Sequence, residues 1–260
     1  MAEVAREVAK IYPYAKSQLV DKLHRRFDST PWIVLVKGRN NFREMTGNDI
    51  VVAFAQPARN LIVLDTSRVY SKPFTIEATL RHELCHLILH RNIASSYLPR
   101  WIDEGVCQWA SGGIAEFMSG DEGRALAKAA VADRLISMSE LETFPEDERS
   151  LMLAYEESRS MVEYIVSEYG EQGLLKMLDN LDEGHALEDS VKKSLSITLS
   201  SLESGWRSNL KRKYTWFSYL SENLYTFIFV FAALVTVYGF LRLLKKKRDY
   251  KDEEENEIDL

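Results

Sequence analysis

The feature that most constrains this chain is a pair of histidines four residues apart in a run of helix-forming residues. Residues 82–86 read His-Glu-Leu-Cys-His, within the stretch TIEATLRHELCHLILH. In an α-helix, residues i and i+4 share one face, about 6 Å apart along the axis. His82 and His86 can therefore both present a ring nitrogen to one small cation, with Glu83 beside that face. This spacing indicates a helix-borne metal site with an adjacent general base.

A catalytic zinc site needs a third protein ligand and leaves one position open for water. Glu104 follows His86 after seventeen intervening residues, in the segment PRWIDEG. That separation allows a loop and a chain reversal, so a second helix can pack against the first with Glu104 in its second turn. The alternative is a carboxylate that favours a helix start because of the helix dipole. We expect Glu104 to be the third ligand.

Four nearby residues have less specific signals. His90 lies one turn beyond His86, but a fourth protein ligand would close the site to water. We therefore expect His90 to interact with the C-terminal end of its helix. Asp103 either holds a ligand histidine in place or caps its helix. Cys85 and Cys107 could form a disulfide, or they could pack as small apolar side chains.

The rest of the chain predicts an α+β fold with a small N-terminal β-sheet and a mainly helical C-terminal lobe. With 46% hydrophobic and 28% charged residues, the composition is that of a globular protein. The formal net charge of -6 argues against a nucleic-acid partner, since no basic excess is available for phosphates. Valine-, isoleucine- and aromatic-rich runs predict strands at 32–37, 50–56 and 61–65. Apolar spacing and glycine breaks predict helices at 1–28, 73–90, 99–112, 122–136, 150–169, 171–180 and 186–213.

The C-terminal part of the sequence predicts a membrane anchor. Residues 224–244 are apolar apart from Arg242, with mild exceptions at Thr226 and Thr236, and a basic cluster follows at 245–248. About 20 apolar residues span a bilayer core. We therefore expect one transmembrane helix at 224–244. The predicted division of the chain is a metal-binding domain at 1–213 (helix 1–28, sheet and metal-binding helices 30–112, helical lobe 113–213), a linker at 214–223, the helix, and a charged tail at 245–260.

The basic residues closest to the predicted span follow it, which favours a cytoplasmic tail. The catalytic domain would then face the periplasm or the cell exterior. The N-terminal residues lack the apolar core of a signal peptide, so this orientation predicts a cleaved signal that is missing from the sequence. The alternative is a tail-anchored protein with a cytosolic catalytic domain.

The two motifs together resemble those of a known family. HELCH followed by PRWIDEGVCQW is similar to the gluzincins, which pair H-E-x-x-H with a downstream glutamate. More narrowly it resembles the bacterial peptidase MA-like domain, whose second motif is a W-x-x-E-G helix. Four later stretches also resemble that family: 135–147, 153–170, 174–184 and 202–210. Together with the two motifs, they extend the resemblance over most of residues 30–213.

The resemblance implies a role for each motif residue. His82, His86 and Glu104 would bind one zinc ion per chain, and Glu83 would be the general base. Gluzincins often place a tyrosine on a helix beyond the third ligand, so Tyr155 is the candidate oxyanion donor; a packed helix aromatic is the alternative. The substrate would be a peptide or protein, extended along the sheet edge. The Gly-x-Met-x-Asn signature of the aminopeptidase branch is missing, which favours cleavage of internal bonds.

The expected function is therefore a membrane-anchored zinc-dependent metallopeptidase that hydrolyses internal peptide bonds. One alternative is a catalytically silent, zinc-containing binding or assembly module at the membrane. Another is a structural membrane protein in which the histidine motif is accidental. The intact Glu83 favours the enzyme, because a purely structural site has no use for a base beside an open position.

Overall fold

The computed structural model describes residues 1–47, 51–68, 75–112, 124–222, 226 and 228–243. The chain divides into two compact units, Met1–Leu210 and Lys211–Leu260. Its helices and strands, in chain order, are α1 (Ala2–Leu23), β1 (Trp32–Val36), α2 (Arg39–Thr46), β2 (Ala53–Gln56), β3 (Leu61–Asp65), α3 (Ile76–Asn92), α4 (Arg100–Ser111), α5 (Arg124–Val131), α6 (Glu148–Asp182), α7 (Leu187–Leu195) and α8 (Leu199–Glu222).

The strands form a three-stranded sheet with the order β1-β3-β2. β3 is central, parallel to β1 and antiparallel to β2. Its residues Ile62, Val63 and Leu64 are fully buried, as expected for a short apolar run covered on both faces. α3 packs against the sheet, α1 and α4, which places the metal-site motif in the middle of this unit.

α3 is buried on nearly all sides. The Thr75 hydroxyl caps its N-terminus by accepting a hydrogen bond from Ala78 N at 3.1 Å. Leu80, Leu84 and Ile88 are fully buried. A helix covered on this much of its surface is stabilised mainly by tertiary packing, so the motif histidines lie on a packed element.

Several elements differ in extent from the sequence prediction. α2 was not predicted, because its sequence, RNNFREMT, is polar apart from the buried Phe42 and the exposed Met45. The break predicted at Gly170 is confirmed, because the backbone of α6 leaves helical geometry there with φ at 74°, although the helix resumes directly and continues to Asp182. The helix predicted at 186–213 is two helices, α7 and α8. The predicted starts at residues 50, 73 and 122, and the charged tail at 245–260, lie outside the described residues.

The predicted fold class needs correction at its C-terminus. The described chain is mostly helical with a small three-stranded sheet. Within the described ranges, no helix is both long enough and apolar enough to cross a membrane. The prediction of a transmembrane helix at 224–244 is therefore wrong, and so are the single-pass anchor and the orientation inferred from it.

Candidate metal centre

Two histidines on one face of α3 form the base of the site. His82 and His86 are both buried, and their Nε2 atoms lie 3.1 Å apart. The two rings meet edge to face, with centroids 4.8 Å apart. This is the geometry expected for residues i and i+4 of a helix. Both nitrogens therefore point at the same small volume.

α4 brings the third side chain to this volume. Glu104 Oε2 lies 3.6 Å from His82 Nε2 and 3.5 Å from His86 Nε2. A disulfide between Cys85 and Cys107 joins α3 to α4 beside the three side chains. Of the two readings that the sequence left open for these cysteines, the structure has the disulfide. The connection between the helices thus has the length and direction needed to bring Glu104 to the histidines.

The spacing of these three atoms fits a metal ion. Metal–ligand bonds of about 2.0–2.2 Å in a tetrahedron separate neighbouring ligand atoms by about 3.3–3.6 Å. The three observed separations are 3.1, 3.5 and 3.6 Å. Moreover, Glu104 Oε2 is buried and has no hydrogen-bond partner among the described residues. A buried carboxylate oxygen without a partner is costly unless a cation binds it, so this set of residues could hold a metal ion.

The charges of the cluster also favour a bound cation. Burial by itself would raise the pKa of the Glu104 carboxyl, but its interactions with His86 and His82 hold that pKa well below its usual range. Burial would likewise lower the pKa of His86, but the carboxylates of Asp103 and Glu104 raise it well above 6.5. The cluster is therefore an anionic pocket that favours a cation, either a proton or a metal ion.

Asp103 accepts hydrogen bonds from two histidines at once. Its Oδ1 is 2.8 Å from His86 Nδ1, and its Oδ2 is 2.8 Å from His90 Nε2. Asp103 thus hydrogen-bonds the candidate ligand His86, as in the first of the two readings that the sequence left open. His90 lies in the last turn of α3, as expected; its Nε2 contacts Asp103, and its Nδ1 lies 3.1 Å from the Ser95 hydroxyl. Sequence spacing could not show this, because the partner lies on another helix.

Glu83 lies in the same turn as His82 and is 1% exposed. The motif therefore places a second carboxylate inside the buried core next to the histidine pair. Its role as general base stays a prediction.

Tyr155 reaches the cluster from α6. Its hydroxyl donates a hydrogen bond to Glu104 Oε1 at 3.2 Å. The ring packs edge to face on Phe144, with centroids 5.1 Å apart. The side chain is 5% exposed. It therefore packs as an aromatic and also presents its hydroxyl to a candidate ligand.

Two residues of α4 complete the surroundings and were not singled out from the sequence. The Arg100 guanidinium lies over the Phe144 ring at 4.5 Å and donates to the Tyr155 hydroxyl at 3.5 Å. Gln108 donates to the Tyr155 backbone carbonyl at 3.2 Å. Arg100 precedes Glu104 by one helical turn, a spacing that indicates an ion pair; their closest atoms are 3.9 Å apart. Gln108 has no comparable signal.

A second group of possible ligands, His86, Asp103 and Cys107, overlaps the first. The Cys107 sulfur of this group is bonded to Cys85. Because metal binding by cysteine requires a thiolate, the disulfide prevents Cys107 from acting as a ligand. The favoured set is therefore His82, His86 and Glu104.

Comparison with known proteins identifies the family. The sequence pattern of the peptidase MA superfamily matches residues 45–212, a range that includes α3, α4 and α6. The chain belongs to the peptidase MA superfamily, which confirms the resemblance seen in the two motifs. By family it is a peptidase, with a peptide or protein as its substrate class. No curated protein matched the chain.

Proposed function

We propose that this protein is a zinc-dependent metallopeptidase that hydrolyses internal peptide bonds. The observation that carries the proposal is the triangle formed by His82 Nε2, His86 Nε2 and Glu104 Oε2, with sides of 3.1–3.6 Å. Two imidazoles and one carboxylate suit zinc, and three protein ligands leave a position open. Membership of the peptidase MA superfamily supports hydrolysis of a peptide bond as the reaction.

Each site residue would have a separate role in the hydrolysis. His82, His86 and Glu104 would hold the zinc ion, which supplies Lewis acidity for the attacking water and the scissile carbonyl. Glu83 would accept a proton from the water while the water oxygen bonds to the carbonyl carbon. The same carboxyl would then return the proton to the amide nitrogen as the C–N bond breaks. Tyr155 would donate to the carbonyl oxygen as it gains negative charge, which requires its hydroxyl to leave Glu104 Oε1.

We further propose that the substrate binds as an added β-strand. β2 lies at one edge of the sheet in the described part of the chain and packs against α3. A peptide paired with its outer edge would run close to the metal helix with its backbone held by hydrogen bonds. The missing aminopeptidase signature supports an internal bond as the point of cleavage.

The decisive variant is Glu83→Gln in the full chain. The amide keeps the shape of the carboxyl but cannot accept the proton, so peptide hydrolysis should fall by about 10²–10⁴-fold while zinc content stays that of the wild type. Digestion of a peptide library and elemental analysis measure the two properties. Glu77→Gln is the matched control, because Glu77 is an exposed glutamate on the same helix.

Undiminished turnover in Glu83→Gln would rule out the proposed mechanism. A wild-type protein that binds zinc but cleaves no peptide in the library would favour the catalytically silent module. A library with blocked amino termini also separates internal cleavage from an aminopeptidase reaction.

A further inference from the structure

Three histidines follow one another along α3 at intervals of one turn, and two carboxylates of α4 face them. Glu104 lies against His82 and His86, and Asp103 lies against His86 and His90. His86 is therefore the residue that contacts both carboxylates. A zinc site with three protein ligands does not need His90, so the role of the bond between His90 and Asp103 is open.

The hydrogen-bond directions follow from the chemistry of the ring nitrogens. The Asp103 carboxylate can only accept, so His86 donates from Nδ1 and His90 donates from Nε2. Donation from Nδ1 leaves the lone pair of His86 on Nε2, the atom that faces Glu104. Donation from Nε2 leaves His90 Nδ1 as an acceptor, and the Ser95 hydroxyl lies 3.1 Å from it. Both Asp103 oxygens, His86 Nδ1 and both ring nitrogens of His90 then have partners, and His86 Nε2 keeps its lone pair for a cation.

The second bond to Asp103 restricts how its carboxylate can move. A carboxylate held through Oδ1 alone can rotate about its terminal torsion, which is a broad and weakly restricted one. The bond from His90 to Oδ2 fixes the other oxygen, so the carboxylate plane is set by two histidines of one rigid helix. Ser95 lies in the connection between α3 and α4, so the same contacts also tie that connection to the site.

From this arrangement we propose that His90 is a positioning residue for the metal centre. By bonding Asp103 Oδ2 it holds Oδ1 on His86 Nδ1, and this keeps His86 in the tautomer and orientation that bind the ion. The inference rests on the proposed function, since it takes His86 to be a zinc ligand. Hydrogen-bond partners of ligand histidines change metal affinity by about 10–100-fold in other proteins.

Two substitutions that differ by one methylene group test this role. In His90→Gln the amide nitrogen is as many bonds from the backbone as Nε2, so it can still donate to Asp103. In His90→Asn the amide is too short to reach. We expect His90→Asn to bind zinc about tenfold more weakly than the wild type. The zinc affinity of His90→Gln should stay within about threefold of the wild-type value, because the hydrogen-bond donor to Asp103 is retained. The dissociation constant is measured on the full chain by competition with a chromogenic chelator.

A double-mutant cycle separates positioning from packing. In an Asp103→Ala background, His90→Asn should cause no further loss of zinc affinity, because the carboxylate that it positions is gone. Thermal unfolding in the presence of a chelator shows whether each variant folds without metal. If His90→Asn fails to fold, Ser95→Ala replaces it. That variant removes the hydrogen bond that orients the His90 ring, and we expect its zinc affinity to fall about threefold, again with no effect in the Asp103→Ala background.

Three results would overturn the inference. His90→Asn could bind zinc as tightly as the wild type, or His90→Asn and His90→Gln could lose zinc affinity equally. The third is that His90→Asn lowers zinc affinity by the same factor with and without Asp103. Should Ser95→Ala be the variant used, wild-type affinity in that protein would overturn it as well. All of these leave the proposed function standing as long as the wild type binds zinc. A wild-type protein that binds no zinc would remove the proposed function and this inference together.

Discussion

Two buried glutamates on neighbouring helices have opposite acid–base properties. Glu104 on α4 is 8% exposed and Glu157 on α6 is 0% exposed. Burial raises the pKa of a carboxyl, and for Glu157 it does so to about 8. The pKa of Glu104 is instead held well below its usual range. Equal burial therefore does not determine the charge state; the neighbouring groups do.

The neighbours of Glu104 are donors and potential cations. Two imidazoles lie within 3.6 Å of its Oε2, and the Tyr155 hydroxyl donates to its Oε1. Glu157 has one backbone donor, Ile136 N at 3.1 Å, and its Oε2 has no hydrogen-bond partner among the described residues. The positive charge of Arg207 acts on Glu157, but the Arg207 guanidinium forms its ion pair with Glu203 and donates to the Ile136 carbonyl. Glu104 is thus suited to bind a cation, whereas Glu157 is suited to keep a proton.

The two sites meet at one close contact between α4 and α6. A β-carbon added to Gly105 would collide with the Ser158 carbonyl oxygen and would lie 2.7 Å from Val162 Cγ2. Gly105 follows Glu104 directly, and Ser158 follows Glu157. The absence of a side chain at Gly105 therefore lets the two helices approach closely enough for Tyr155 to reach Glu104.

Removing the charge of Glu104 should have the largest effect. Glu104→Gln leaves two strong ligands where three are needed, so zinc affinity should fall by on the order of 100-fold or more, and peptidase activity with it. The same substitution at the buried Glu157, Glu157→Gln, is the matched control and should keep zinc. Elemental analysis after dialysis distinguishes them. Retained zinc and activity in Glu104→Gln would show that the third ligand is another residue.

Separating the two helices should affect both sites. Gly105→Ala introduces a carbon where there is no room, and we expect the free energy of unfolding to fall by about 3 kcal/mol. Gly239→Ala is the control, because an added β-carbon there has nothing within 4 Å. Denaturant unfolding measures both. A Gly105→Ala protein as stable as the wild type would contradict the close contact.

Removing the charge of Glu157 should change how stability depends on pH. Its pKa is raised in the folded state, so the folded protein holds a proton that the unfolded chain releases above about pH 4.5. Stability from this group is thus complete below that pH and is lost as pH rises towards 8. The free energy of unfolding of Glu157→Gln, relative to that of the wild type, should therefore increase by on the order of 2 kcal/mol between pH 5 and pH 9.

The measurement is the difference in unfolding free energy between variant and wild type at each pH. Glu168→Gln, an exposed glutamate on the same helix, should show no such trend. A flat difference for Glu157→Gln would mean that Glu157 is ionised in the folded protein.

Removing the Tyr155 hydroxyl should have the smallest effect. Tyr155→Phe keeps the packing on Phe144 but deletes the donor to Glu104. If the hydroxyl acts mainly in the transition state, kcat should fall about tenfold with little change in KM. Tyr169→Phe, on the same helix, is the control. An unchanged kcat would limit Tyr155 to a packing role.

Parts of the site that depend on residues close in the chain could be predicted from the sequence. The motif histidines needed only the helical repeat, and Glu104 needed a helix reversal of ordinary length. Tyr155 was named because of the family resemblance, but its contact with Glu104 spans 51 residues. The predicted membrane helix shows the limit of composition, because within the described residues the apolar run forms no helix that could cross a membrane.

The sequence by itself determined that His82 and His86 share a helix face, because helix geometry is a local property of the backbone. The tertiary structure alone decided which partners those side chains meet. The disulfide between Cys85 and Cys107, the sharing of Asp103 by His86 and His90, and the opposite pKa shifts of Glu104 and Glu157 all depend on how the helices pack. Hydrogen bonds and charge interactions act over a few ångströms in space, and residues that distant in the chain come so close only in the folded protein.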